Sequence, residues 1–264
     1  MYNKPKKSLG QNFLIDKNIQ RKIIESCVFK ASDNVLEIGA GRGELTRLIA
    51  ERVAKIYALE IDAQLCEILK TNLKDKLNVE IINQDILKFN LNRHFSKPKG
   101  RIKVIGNIPY YITTPIIAHL LNFKDRIEAI FLSVQKEFGI RMTAHPGSKD
   151  YGSFSCFIQY HTDPRIVFSI KRRSFFPPPK VDSSFLRMDI KRRLPLRRKQ
   201  EELFFKIIRA AFNKRRKTLR NSLDGIMLPQ KLEQFFIKYS IDRNIRPELL
   251  SLQDFTALAI LQNS

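Results

Sequence analysis

The tetrapeptide Asn107-Ile108-Pro109-Tyr110 follows an apolar run, Ile102-Lys103-Val104-Ile105-Gly106, that reads as the end of a buried strand. Its residue types suit the activation of an aromatic amine. The lone pair of such an amine is delocalised into its ring, so the nitrogen is a poor nucleophile. Two acceptors on its hydrogens would draw that lone pair out of the ring plane. The side-chain oxygen of Asn107 can be one acceptor, and a backbone carbonyl held by the fixed φ of Pro109 can be the other. Tyr110 can stack on the base and hold it at the reactive atom. Asn, Pro and Tyr at a strand end also make ordinary turns and core covers, so the reading depends on what accompanies them.

Upstream, Val35-Leu36-Glu37-Ile38-Gly39-Ala40-Gly41-Arg42-Gly43-Glu44 is an apolar strand, then a glycine-rich turn, then the start of an amphipathic helix. Gly39 and Gly41 let the backbone approach a ligand with no Cβ in the way, and the helix start presents free N–H groups. Glycine recurs at every second position, and Glu44 stands where a dinucleotide fingerprint needs a small residue, which disfavours a pyrophosphate. The next strand, 54 to 59, ends in Glu60-Ile61-Asp62. An acid about 20 residues past the glycines suits both hydroxyls of a ribose, which makes Glu60 the ribose candidate. A third strand, 79 to 83, leads into Gln84-Asp85-Ile86, where Asp85 can accept from the exocyclic amine of a bound adenine or simply cap a turn.

These groups need a scaffold that brings them together. Strands at 34–38, 54–59, 79–83, 102–106 and 128–134 alternate with helical patterns, which predicts an α/β fold with a parallel sheet and right-handed crossovers. Apolar stretches near 154–160, 164–170 and 184–190 are expected to add strands, at least two of them antiparallel. The result is a Rossmann-like methyltransferase domain with a mixed, mostly parallel sheet of about seven strands. Ligands of such sheets bind outside the carboxyl ends of the strands, so the four segments should converge on one crevice. The expected ligand is S-adenosylmethionine, with a target amine facing its methyl group.

Around this sheet, residues 1–16 read as a basic arm, and a helix from Lys17 to Cys27 follows, with Asp16 as N-cap and Ile19, Ile23, Ile24 and Cys27 as its apolar stripe. A stiff loop, Ser174-Phe175-Phe176-Pro177-Pro178-Pro179, presents two aromatics. Phe175 or Phe176 would sandwich a base against Tyr110, or else would anchor the loop in the core. Past the basic linker 191–199, helical patterns at 200–212, 214–224, 229–239 and 251–261 form a small all-helical domain. The expected boundary gives 1–192 to the sheet domain and 193–264 to the helices.

Composition limits the function further. Of 264 residues, 43% are hydrophobic and 28% charged, ordinary for a globular protein, but the net charge is +22 and the pI near 10.1. A polyanionic partner is expected. Residues 171–224 carry 18 Lys and Arg against 5 Asp and Glu, a net of +13. Within them, Phe212, Leu219 and Leu223 should face a core, leaving Lys214, Arg215, Arg216, Lys217 and Arg220 outward for a phosphate backbone. Cys27, Cys66 and Cys156 show no metal-ligand spacing, and no His is placed for a Ser-His or metal-hydrolase mechanism, so no metal is expected. No apolar run approaches a membrane span and the N-terminus lacks a signal-peptide core. The expectation is a cytoplasmic protein that acts as a monomer.

Taken together the motifs resemble the bacterial small-subunit ribosomal RNA adenine dimethyltransferase family over nearly the whole chain. The blocks that carry the resemblance are Ser8 to Leu14, Glu37 to Gly41, Glu60 to Asp62, Asn107 to Tyr110, Phe175 to Ser183, Phe212 to Leu223, and Arg246-Pro247-Glu248 with Leu250-Ser251-Leu252. It implies cofactor contacts at Asn12, Leu14, Gly39, Glu60, Asp85 and Asn107, with Phe175 as the family's aromatic before the proline loop. It also implies four methyl transfers to two adjacent adenosines near the 3′ end of small-subunit rRNA, and a role in small-subunit assembly. Tyr111, where the family usually has Asn, and Ile108, in place of the commoner Leu, depart from its pattern. Two rivals stand beside it: the resistance enzymes that dimethylate one adenosine of large-subunit rRNA, and a non-catalytic nucleic-acid binder of the same fold. A nicotinamide oxidoreductase fails on the glycine spacing.

Overall fold

The computed structural model describes residues 5, 6, 9–95, 100–214 and 217–263. Two compact units divide the chain: Met1–Gly139 with Pro164–Ile190, and Ile140–Asp163 with Lys191–Ser264.

The first unit opens with β1 (Phe13–Leu14) and α1 (Lys17–Ser26). The Asp16 side chain accepts from the N–H groups of Asn18 and Ile19, capping α1 as its sequence suggests, and Ile23 and Ile24 are buried. Strand and helix then alternate through β2 (Asn34–Ile38), α2 (Glu44–Ala50), β3 (Lys55–Glu60), α3 (Ala63–Asn72), β4 (Val79–Asn83), α4 (Leu91–His94), β5 (Ile102–Asn107), α5 (Thr113–Leu121), β6 (Ile127–Gln135) and α6 (Lys136–Thr143). After α7 (Ser153–His161) come β7 (Thr162–Ile170), β8 (Phe175–Phe176) and β9 (Ser183–Ile190).

The main sheet has seven strands in the order β4-β3-β2-β5-β6-β9-β7, while β1 and β8 form a separate antiparallel pair. β4, β3, β2, β5 and β6 run parallel and β9 is antiparallel to β6. The central strands are covered on both faces, so they read as nearly continuous apolar runs. Lys103 is the exception in β5. It is 5% exposed, and its ammonium donates to the Val28 carbonyl at 3.0 Å and to Asp33 Oδ2 at 2.7 Å, which satisfies the buried charge. Strand order reverses between β2 and β5, and this switch point opens the ligand crevice at their carboxyl ends.

The second unit holds α7, α8 (Arg198–Asn213), α9 (Leu219–Ser222), α10 (Pro229–Lys238) and α11 (Leu252–Asn263). Here two expectations are corrected. Residues 154–160 are helical in α7, because Cys156 and Tyr160, four apart, fall on one face and pack with Phe204, Ile207 and Ile208 of α8. Short apolar runs do not reveal their period. The unit of the C-terminal helices takes in 140–163 as well as the chain from Lys191 onward, beside the expected boundary at 192. The expected helix 214–224 shortens to α9, which starts anew at Thr218, whose hydroxyl caps the Asn221 N–H. Leu219 and Leu223 are buried as their spacing suggests. Among the described residues no helix is long and apolar enough to cross a membrane.

Candidate active site

A crevice enclosing about 870 Å³, part of it open to solvent, lies in the first unit. It is lined by the arm (Leu9 to Phe13), the turn after β2 (Gly39, Gly41), the end of β3 (Glu60, Ile61), the turn after β4 (Gln84, Asp85, Ile86) and the segment after β5 (Asn107 to Ile112). The four motif segments of the sequence therefore meet, as the switch-point topology requires.

Glu60 is 5% exposed and both of its oxygens are held by backbone: Oε2 accepts from the Gly41 N–H at 2.9 Å and Oε1 from the Asp62 N–H at 3.0 Å. Burial pushes its pKa above the ordinary range, and these N–H donors oppose that shift. Each oxygen keeps a lone pair for a ligand hydroxyl. Gly41 has φ +60°, a left-handed conformation that favours glycine, and a Cβ there would meet the Phe13 ring of the arm at 3.4 Å, an ordinary contact. Gly39, at the same turn, also has positive φ. Beneath the turn, Glu37 is 2% exposed and accepts from Thr46 Oγ1 at 2.6 Å. Burial first, then the charges of Glu44 and Glu60, raise its pKa to about 8.

Asp85 is half-buried and caps the short turn Ile86–Lys88, accepting from the Leu87 N–H through Oδ1 at 2.9 Å. Capping and ligand binding do not compete, because capping aims the carboxylate without using Oδ2. At the mouth, Asn107 Nδ2 donates to the Asn12 carbonyl at 2.8 Å, which leaves Oδ1 as the acceptor. Pro109 has φ −60° and ψ 134°. The carbonyls of Pro109 and Tyr110 are taken by the turn, from the Ile112 N–H at 3.3 Å and the Thr113 hydroxyl at 3.0 Å. The Ile108 carbonyl takes no part in that turn. Tyr110 is half-buried, and its hydroxyl lies 2.5 Å from Oγ of the fully buried Ser183. Burial raises the phenol pKa and the Ser183 contact opposes this.

Leu14 and Phe175, both expected at the site, have buried side chains. β1 and β8 pair Leu14 with Phe175 and Phe13 with Phe176, and directly opposed residues share a face of a sheet. Leu14 and Phe175, 6% and 2% exposed, point into the core with Ile23, Ile24 and Phe185 and do not line the crevice. Phe13 lines it, and Phe176, 52% exposed, shares the face of Phe13.

Other contributors have little or no signal in the sequence. Lys6 Nζ and Gln11 Nε2 reach the two oxygens of Asp62 at 2.9 and 3.3 Å, strapping the arm to the start of α3. Burial would raise the Asp62 pKa, but Lys6, the Gln64 N–H and Gln11 hold it below the ordinary range. Ile61, 51% exposed between two acids, offers an apolar wall, and an apolar residue between Glu60 and Asp62 was the one signal in the sequence. Of the expected RNA-binding cations, Lys214, Lys217 and Arg220 are exposed. Arg215 and Arg216 lie outside the described residues.

The groups that suit S-adenosylmethionine are the buried Glu60 with both oxygens held by N–H groups, a glycine turn, the Asp85 carboxylate and the apolar Ile61. Residues 2–263 match the profile described as ribosomal RNA adenine dimethylase. The chain is 42% identical over 258 residues to ribosomal RNA small subunit methyltransferase A of Alkaliphilus oremlandii, covering 96% of this chain and 90% of that one. Among solved structures it is similar to a dimethyladenosine transferase from Plasmodium falciparum, with a TM-score of 0.78, 26% identity and coverage of 93% and 95%. The 23S rRNA methyltransferase ErmE shares the fold at a TM-score of 0.79 and 24% identity, covering 96% of this chain and all of that one. By that match over residues 2–263 and its identity to such relatives, this chain, whose glycine turn, Glu60 and Asn-Ile-Pro-Tyr segment meet at one crevice, belongs to the ribosomal RNA adenine dimethylase family.

Proposed function

We propose that the protein transfers methyl groups from S-adenosylmethionine to N6 of two adjacent adenosines near the 3′ end of small-subunit rRNA, acting as a monomer on the small ribosomal subunit in the cytoplasm during its biogenesis. The observation that carries this reading is the pair of acceptors at the crevice mouth, Asn107 Oδ1 and the Ile108 carbonyl, beside the ring of Tyr110. The names of the relatives at high coverage support the small subunit as the target.

Glu60 would hold the ribose hydroxyls, Asp85 would accept from the adenine amine, and Ile61 would cover the base. Bound there, S-adenosylmethionine supplies an electrophilic methyl group on a sulfonium. Asn107 and the Ile108 carbonyl accept the two N6 hydrogens of the target, so that its lone pair turns out of the ring plane toward the methyl. Tyr110 stacks on the target base and holds N6 in line. With N6 so held, an N–C bond would form as the methyl–sulfur bond breaks, its electron pair staying on sulfur. The methylated amine is a strong acid and gives its proton to water, so no strong general base is required of the protein. A second transfer requires the monomethylated base to rotate, presenting its remaining hydrogen to one acceptor. The basic surface with Lys214, Lys217 and Arg220 supplies sequence-independent affinity for phosphates.

Incubation with methyl-labelled S-adenosylmethionine and unmethylated small or large subunits, then nucleoside mapping by mass spectrometry, tests this. Dimethyladenosine at two adjacent positions of small-subunit RNA is the expected result. A single site in large-subunit RNA would overturn the target, and tight RNA binding without label would overturn the activity.

A further inference from the structure

We propose that the exposed ring of Tyr111 is a stacking platform for the nucleotide that flanks the target adenosine, a base subsite just outside the pocket. This rests on RNA methylation at the crevice. Tyr110 and Tyr111 are consecutive in the turn Tyr110–Ile112 but are held in opposite ways. Tyr110 is half-buried and tied to Ser183, whereas Tyr111 is 65% exposed and still lines the crevice. Its hydroxyl makes no hydrogen bond among the described residues.

The ring is nevertheless placed. A Cβ built on Gly10, which has φ +59°, would stand 3.0 Å from Tyr111 Cε1, 3.3 Å from Cδ1 and 3.3 Å from Pro109 Cβ. The bare backbone of Gly10 therefore lies against one edge of the ring, while the residue as a whole stays 65% exposed. Folding has ordered this aromatic surface without covering it.

An adenosine that enters a crevice must leave its stack, and the neighbouring base then loses a partner on the side facing the mouth. An aromatic ring at that point replaces the lost contact whatever the identity of the neighbouring base, because every base has a π-face. Since the reaction places two target adenosines side by side, the platform would receive the second while the first is in the pocket.

The test uses the full chain with unmethylated small subunits. Tyr111→Phe, Tyr111→Leu and Tyr111→Ala are compared with wild type for KM of the subunit, kcat, and the Kd of S-adenosylmethionine measured without RNA. Stacking predicts that Phe leaves KM unchanged, while Leu and Ala raise it about tenfold, with cofactor Kd within about twofold of wild type. An unchanged KM in both Leu and Ala would overturn the platform. So would a loss of cofactor affinity in Ala that Leu restores together with KM, since the ring would then only prop the arm at Gly10. A wild-type protein that labels no subunit would remove the methylation reading itself, and the platform with it.

Discussion

The side-chain amide of Asn107 donates to the backbone carbonyl of Asn12, 95 residues earlier, at 2.8 Å. A carbonyl only accepts, so this contact fixes Nδ2 as the end of the amide that faces the arm and leaves Oδ1 able to accept. The arm is thereby part of the acceptor. Asn107→Ala removes both the acceptor and its tether, and kcat should fall by about 100-fold or more, the scale of losing one fixed hydrogen-bonding group at a reacting centre. Subunit affinity, measured by filter retention, should remain close to wild type. Retained dimethylation would sink the assignment.

Glu60 is enclosed by two N–H donors, from Gly41 and Asp62. In Glu60→Gln one amide nitrogen must face an N–H, donor against donor, in a site that is 5% exposed. An unsatisfied buried group costs about 1–3 kcal/mol, and the glycine turn should shift with it. S-adenosylmethionine affinity by calorimetry should drop about 10- to 100-fold. Equal affinity in the two proteins would remove Glu60 from the cofactor site.

What the sequence made legible was local. Gly41, Glu60, Asp85 and Asn107 each end a strand or the turn after it, and parallel topology alone carries such positions to one edge of a sheet. Illegible was whatever depended on pairing across the chain. Leu14 and Phe175 face the core because β1 pairs with β8 in one register, and a shift by one residue would have turned both toward the crevice. The Tyr110–Ser183 contact joins residues 73 apart and leaves no mark in either segment. α7 was hidden differently: Phe154-Ser155-Cys156-Phe157-Ile158 is apolar enough for a buried strand, and its helical state is tied to packing on Phe204 and Ile207.

Glu37 gives the fold a pH dependence. Its carboxyl has an ordinary pKa of 4.5, and burial, assisted by Glu44 and Glu60, raises it to about 8 in the folded chain. Between those values the native state binds a proton that the unfolded chain releases. Stability from this group is therefore full below about pH 4.5 and is lost as pH rises through about 8. Glu37→Gln mimics the protonated form and can still accept from Thr46, so its Tm should fall less than that of wild type between pH 6 and pH 9. Parallel Tm profiles would show that the carboxyl does not titrate in this window.

Among the cations proposed to meet phosphate, Lys217 and Arg220 should not count equally. Arg220 Nη2 lies 2.5 Å from Glu233 Oε2, and the same carboxylate takes Arg243 Nε at 2.7 Å, so one acid restrains two guanidinium groups. Arg243 first, then Arg220, hold the Glu233 pKa below the ordinary range, which keeps that negative charge in place at neutral pH. A phosphate approaching Arg220 must share it with a carboxylate already bonded to it. Lys217 is exposed on the turn before α9 and has no such partner at its ammonium among the described residues. Lys217→Ala should therefore flatten the plot of log affinity for small-subunit RNA against log salt by about 0.7 to 0.9, the share of one phosphate contact. Arg220→Ala should flatten it less and instead lower Tm, since Arg220 also lies over the Phe236 ring at 5.8 Å. Equal slopes for the two variants would mean that Glu233 releases Arg220 when RNA binds.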